Sequence, residues 1–181
     1  MYGAASRFRI LGQGLGEIDG HLGGLELVAF LDHRPGFRKL AAQLVRARIG
    51  VGRGFTAAPQ EAGFIDQILA KTASKPLNLA GRLSLKELGA LTARAHLFIG
   101  VDSMPMHLAA AMGTPTIALF GPSNEAEWAP WNVEQRIVTT THSCRPCGVD
   151  GCGGSKVSEC LTLLPVDAVH AAAREILVKA A

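Results

Sequence analysis

The apolar positions of this chain fall into short unbroken runs, with amphipathic stretches at helical spacing between them. Leu97 to Val101 is one such run, closed by Asp102, and it predicts a strand buried on both faces of a parallel sheet. Ser103, Met104, Pro105 and Met106 follow, and His107 to Met112 then reads as an alanine-rich helix that Gly113 stops. Pro105 falls in the first turn, where no backbone donor is needed. Thr116 to Phe120 is the next apolar run, and Gly121 and Pro122 break it into a loop. Upstream, Pro59 opens a helix that ends near Lys71 and carries Phe64, Ile65, Ile68 and Leu69 on one face. Leu77 to Leu79 is a short strand. Ser84 and Glu87 have capping-box spacing, and Leu85, Leu88, Leu91 and Ala95 line one side of the helix that follows. Pro165 to Val178 forms a closing amphipathic helix. The alternation predicts an α/β fold, a parallel sheet with helices on both faces.

The pattern is weaker before Thr56. Gly12, Gly14 and Gly16 are too tightly spaced for a dinucleotide-binding fingerprint, which wants its third glycine at Glu17. Phe37 to Ile49 reads as a helix through Leu40, Leu44 and Val45, ended by Gly50, and Val51 to Phe55 is a weak substitute for a buried strand.

Composition narrows the class. A hydrophobic content of 48% with 6% aromatics suits a core of alanine, leucine and valine in one α/β domain of 181 residues. Gly113, Thr114 and Pro115 interrupt the longest apolar stretch, and no charged-then-apolar signal opens the chain, which reads as cytoplasmic. A net charge of +3 with scattered Lys and Arg gives no footprint for nucleic acid, and it leaves peripheral membrane contact open. Cys144 and Cys147 have the CxxC spacing that lets two thiolates reach one ion, whereas Cys152 and Cys160 do not. Reduced thiols are favoured over a metal site, and both over a disulfide framework.

The turn after Leu97–Val101 carries the chemistry. The N–H groups of a first helical turn at the carboxyl end of a parallel strand form an anion site, suited to a diphosphate. Taken alone, Asp102 reads first as a helix cap and His107 as a packed core histidine.

At these residues the chain resembles the lipopolysaccharide heptosyltransferases of glycosyltransferase family 9. The matching pieces are LAGRLSLKELGALTARAHLFIGVDS (Leu79 to Ser103), PMHLAAAMGTPTIALFGPS (Pro105 to Ser123), EWAPW (Glu127 to Trp131) and CRPCGVDGCGGSKVSECLTLLP (Cys144 to Pro165). VDSMPMH and the cysteine-rich tail are most similar to the heptosyltransferase III branch. The resemblance implies the Rossmann-like C-terminal half of the two-domain GT-B fold, with residues 1–56 a poorly matched remnant of the domain start and 57–181 the nucleotide-sugar domain. It implies transfer of heptose from ADP-heptose to the lipopolysaccharide inner core without a cofactor, and contact with the cytoplasmic face of the inner membrane. Asp102 would accept hydrogen bonds from sugar hydroxyls, Ser103, Met104 and Met106 would line the diphosphate, and His107 would donate to a phosphate oxygen. Glu61 would bind the ribose hydroxyls, against a solvated glutamate in a first helical turn, and Leu79 to Leu83 would lie beside the adenine. Trp128 and Trp131 read as a cover for the sheet edge as readily as a stacking surface.

Two departures qualify the resemblance. The acceptor-binding domain, with the family's acidic base, has no counterpart, so a separate acceptor-domain chain is a candidate partner. The family's lysine-and-tryptophan loop is not recognisable between Asp32 and Leu40, where Lys39 stands in a different local pattern. The alternatives to a glycosyltransferase half are a stand-alone nucleotide-sugar binding or interaction module and a small metal-binding module built on the four cysteines.

Overall fold

The computed structural model describes residues 27–30, 53–70, 76–149, 151–155 and 157–180. Among these residues six strands form one sheet: β1 (Leu27–Phe30), β2 (Arg53–Thr56), β3 (Leu77–Asn78), β4 (Phe98–Val101), β5 (Thr116–Leu119) and β6 (Gln135–Val138). Their order is β3-β2-β1-β4-β5-β6, and every pairing is parallel.

The sheet is covered on both faces, which is why its central strands are written as unbroken apolar runs. Ile99, Val101, Ile117 and Leu119 belong to one buried cluster with Ile65 and Ile68 of helix α1 (Ala62–Leu69). The same cluster takes in Leu161 of α5 (Glu159–Thr162) and Val169, Ala173 and Ile176 of α6 (Val166–Ala180). Phe98, Ala118 and Phe120 alternate with those positions and join the other cluster. There they meet Leu91 of α2 (Leu85–Thr92) and Met106 and Ala109 of α3 (Met104–Ala111). Burying each such large side chain contributes about 1.5–3 kcal/mol.

Local signals set the boundaries. The Ser84 N–H donates to Glu87 Oε2 at 2.7 Å and the Glu87 N–H to Ser84 Oγ at 3.4 Å, the reciprocal pair that starts α2. Leu85 departs from expectation: it is 59% exposed, while Leu88 and Leu91 are buried. Helical side chains lean toward the N-terminus, so the first residue of the helix leans past its end instead of onto the sheet. Ala95 is buried but lies beyond α2. Gly113, with φ +74°, follows α3 as its stop. The turn at Pro59–Glu61 is 3-10 before α1 begins.

Two strands are stronger than their sequences. Arg53–Thr56 pairs on both sides and buries Phe55, because neighbouring strands hold in place what weak propensity alone would not. Leu27–Phe30 lies beside it, so two strands within residues 1–56 share the sheet with the remainder. The glycines at 12, 14 and 16, Lys39 and the helix expected over Phe37–Ile49 lie outside the described residues. Among the described residues no helix is long and apolar enough to cross a membrane.

Arg145 ties the loops at the carboxyl edge. Its side chain is 7% exposed. Nε donates to the Gly121 carbonyl at 2.6 Å, Nη1 to Thr140 O at 3.3 Å, and Nη2 to Glu125 Oε2 at 2.8 Å and Ser123 O at 3.5 Å. One guanidinium thereby joins the segment after β5, the short helix α4 (Glu125–Trp128) and the segment after β6. The Glu125 carboxyl is held below the usual carboxylate range by its own backbone N–H and by Arg145, against partial burial.

Two predictions follow from this architecture. Gly81 has φ +66°, and a Cβ there would stand 2.6 Å from Pro59 Cα, so Gly81→Ala should lose about 1–3 kcal/mol in chemical denaturation. An unchanged midpoint would contradict the packing described. Because the folded Glu125 pKa is lowered, the unfolded state binds more protons as pH falls, and the pair's stabilisation is present at neutral pH and lost in acid. The stability difference between wild type and Glu125→Gln should therefore be constant above about pH 5 and shrink as pH falls through the glutamate range near ~4. A difference that does not shrink as pH falls below that range, measured by urea unfolding across pH, would contradict it.

Candidate functional site

Strand order reverses between β1 and β4, and in open α/β sheets such a reversal leaves a crevice outside the carboxyl ends of the strands. Asp102 is the first residue beyond β4 and so stands at that crevice. Its N–H donates to the Leu119 carbonyl at 3.3 Å, which extends the β4–β5 ladder by one bond and fixes where the turn departs.

Neither structural reading of Asp102 and His107 holds. Ser103, not Asp102, occupies the N-cap position of α3, and no side chain caps the helix: Ser103 Oγ donates to the Val101 carbonyl at 3.0 Å. The His107 side chain is 43% exposed, with Nε2 3.7 Å from Asp102 Oδ1, whose own side chain is 16% exposed. Carboxylate and imidazole therefore share one opening. The edge of His107 faces Trp128, with ring centroids 6.3 Å apart and planes at 67°.

The backbone donors are fewer than the sequence implies. The N–H groups of Met106 and His107 turn back to the Ser103 carbonyl at 3.1 and 3.3 Å, and Pro105 has none. Ser103 and Met104 retain N–H groups without a partner among the described residues. Met106, expected to line a diphosphate, offers neither group: its side chain is fully buried against the sheet and its N–H is spent on the turn. Met104 is 56% exposed and remains at the opening.

Glu61 is not a solvated glutamate. It is 8% exposed, and its Oε2 accepts from the Ala58 N–H at 2.8 Å, closing the turn that leads into α1. It follows β2, on the same edge of the sheet as Asp102 but with β1 between the two strands. Of the segment expected beside an adenine, Leu79 and Ala80 are buried, Leu83 packs against the second cluster, and Gly81 and Arg82 are exposed.

Arg145 escaped the sequence reading, and so did the contact of Trp128 with His107. Trp128 is 53% exposed and Trp131 82%, so neither covers the sheet as a buried cap would. The spacing of His107 and Trp128 carries no trace of their contact, and a lone arginine in a cysteine-rich segment gives no sign that four acceptors converge on it. The cysteines are all free thiols, with Cys144 and Cys147 exposed, Cys152 half-buried and Cys160 buried. Burial first, then the neighbouring Cys152, Cys147 and Cys144, pushes the Cys160 thiol up, and Arg145 opposes the rise. Among the described residues no group of three or more His, Cys, Asp or Glu side chains is arranged to hold a metal ion.

The chain has relatives in sequence and in fold among known proteins. The chain is 50% identical over 68 residues to lipopolysaccharide heptosyltransferase 3 of Escherichia coli K12, covering 37% of this chain and 20% of that protein. It shares its fold with a family 9 glycosyltransferase from Veillonella parvula, at TM-score 0.70 and 23% identity over 85% of this chain and 46% of that one. The E. coli ADP-heptose lipopolysaccharide heptosyltransferase II has the same fold, at TM-score 0.66 and 21% identity over 87% of this chain and 48% of that one. The chain thus spans less than half the length of these relatives. Both neighbours are GT-B-type glycosyltransferases, and the parallel sheet covered by helices described above is the part of that fold the chain shares with them. With the family profile matching residues 33–157, the chain belongs to glycosyltransferase family 9, the heptosyltransferases.

Proposed function

We propose that this chain is the donor-binding half of a glycosyltransferase that moves heptose from ADP-heptose to the lipopolysaccharide inner core. The observation that carries the reading is the opening after β4. Two backbone N–H groups without a partner among the described residues, at the start of an eight-residue helix, lie in one turn with an exposed imidazole and a carboxylate.

The roles divide by charge. The diphosphate becomes more negative as the glycosyl bond breaks, so donors already aimed at it stabilise the transition state more than the ground state. Ser103 N–H and Met104 N–H, reinforced by the helix dipole, supply two such donors and His107 a third. Asp102 repels phosphate, and its task is to accept hydrogen bonds from sugar hydroxyls. That opposition orients the donor, with phosphate toward the helix start and sugar toward the carboxylate. Glu61, one strand beyond β1, is assigned to the ribose hydroxyls. The acceptor and the base that activates it belong to the other half of the two-domain fold, in the same or a separate chain. A lipopolysaccharide acceptor implies work at the cytoplasmic face of the inner membrane.

Calorimetric titration with ADP and ADP-heptose tests the reading. His107→Ala should weaken both ligands about tenfold, as loss of a hydrogen bond to a charged group predicts. Asp102→Asn should weaken ADP-heptose while leaving ADP unchanged or tighter, because the repelling charge is removed. ADP affinity insensitive to His107→Ala in a folded protein would contradict the assignment.

A further inference from the structure

A cavity of about 490 Å³ opens at the same edge between the loop after β5 and the loop after β6. Its size suits a small organic ligand. The polar lining comes from Ser123, Asn124 and Glu127, and Trp128 and Pro146 supply apolar walls. The walls are held from behind: Arg145 grips the Gly121 and Ser123 carbonyls, and the Gly148 N–H donates to the Pro122 carbonyl at 2.9 Å, clipping one loop to the other.

The lining selects among ligands. Among the described residues it contains no lysine, arginine or histidine, and its one carboxylate is Glu127. The nearby Arg145 guanidinium is committed to Glu125 and three carbonyls. A phosphate therefore finds no cation here and meets a like charge, whereas a neutral polyhydroxylated ring finds what it needs. Glu127 has only acceptors to offer, Ser123 a hydroxyl, and Asn124 an amide NH₂. Asn124 Oδ1 is occupied by the Ala126 N–H at 3.1 Å, so the amide presents its donor end. The half-exposed indole of Trp128 gives a flat apolar surface for the C–H face of a ring, beside polar groups for its hydroxyls. Trp128 also touches His107, so this cavity adjoins the opening at Asp102.

We propose that this cavity binds a neutral pyranose ring stacked on Trp128, next to the diphosphate position. This rests on the nucleotide-sugar reading for the source of the ring, which is either the glycosyl group of the donor or a sugar of the acceptor.

The chain has two tryptophans, so Trp131→Phe leaves Trp128 as the sole indole reporter. Its emission would be titrated with ADP-heptose, with methyl heptopyranoside in the presence of ADP, and with inorganic phosphate, while calorimetry follows ADP on the same sample. A saturable change with ADP-heptose beyond that caused by ADP assigns the cavity to the donor's sugar. A change with methyl heptopyranoside assigns it to an acceptor sugar. In either case Asn124→Ala and Glu127→Gln should weaken the response about tenfold, and phosphate should produce none. The proposal is overturned if neither sugar moves the emission, if phosphate does so as well as the sugars, or if both variants leave the response unchanged. ADP binding with a silent Trp128 overturns the cavity and leaves the nucleotide reading intact. A sugar response without ADP binding does the reverse.

Discussion

The geometry of the carboxyl edge depends on β4 and β5 being buried on both faces. Because Ile99, Val101, Ile117 and Leu119 pack to one side and Phe98, Ala118 and Phe120 to the other, neither strand can slide by one residue without exchanging its two sets of side chains. The ends of the strands are thereby pinned, and with them the points where the chain leaves the sheet. Asp102 and Phe120 mark those points. A turn that began one residue later would carry the carboxylate of Asp102 into the sheet and withdraw it from the crevice.

Onto that frame the chain sets opposite charges at short range. An imidazole and two backbone N–H groups favour negative charge, and a carboxylate 3.7 Å from the imidazole resists it. In the proposed function, such a site would discriminate between the two ends of a nucleotide sugar instead of simply attracting anions. The cost of a bare carboxylate near a diphosphate is tolerable only if sugar hydroxyls occupy it, so orientation and affinity are linked in one turn. The neighbouring cavity, with no cation in its lining among the described residues, continues the neutral side of that division.

Much of this was legible in the sequence wherever one physical rule acts alone. The runs 97–101 and 116–120 announced doubly covered strands, Ser84 and Glu87 announced a helix start, and Gly113 a helix stop. Legibility failed where several elements must meet. The strand at Arg53–Thr56 owes its existence to the partners on either side, and the contact of His107 with Trp128 joins segments after different strands. Met106 shows the limit of reading a turn by composition: its position promised a free N–H, but the tight start of α3 returns that group to Ser103. The solvated alternative for Glu61 fails for a similar reason, since the backbone its carboxylate closes is that of its own turn.

The central claim is that Ser103 and Met104 present the backbone donors for a diphosphate and that His107 completes the set. Backbone amide and histidine side-chain NMR shifts recorded during addition of ADP test it most directly. The account predicts that the Ser103 and Met104 amides and the His107 ring shift strongly, while the Met106 amide, already bonded to the Ser103 carbonyl, moves much less. Saturable binding with the largest shifts elsewhere on the sheet edge, and none at Ser103 or Met104, would contradict it.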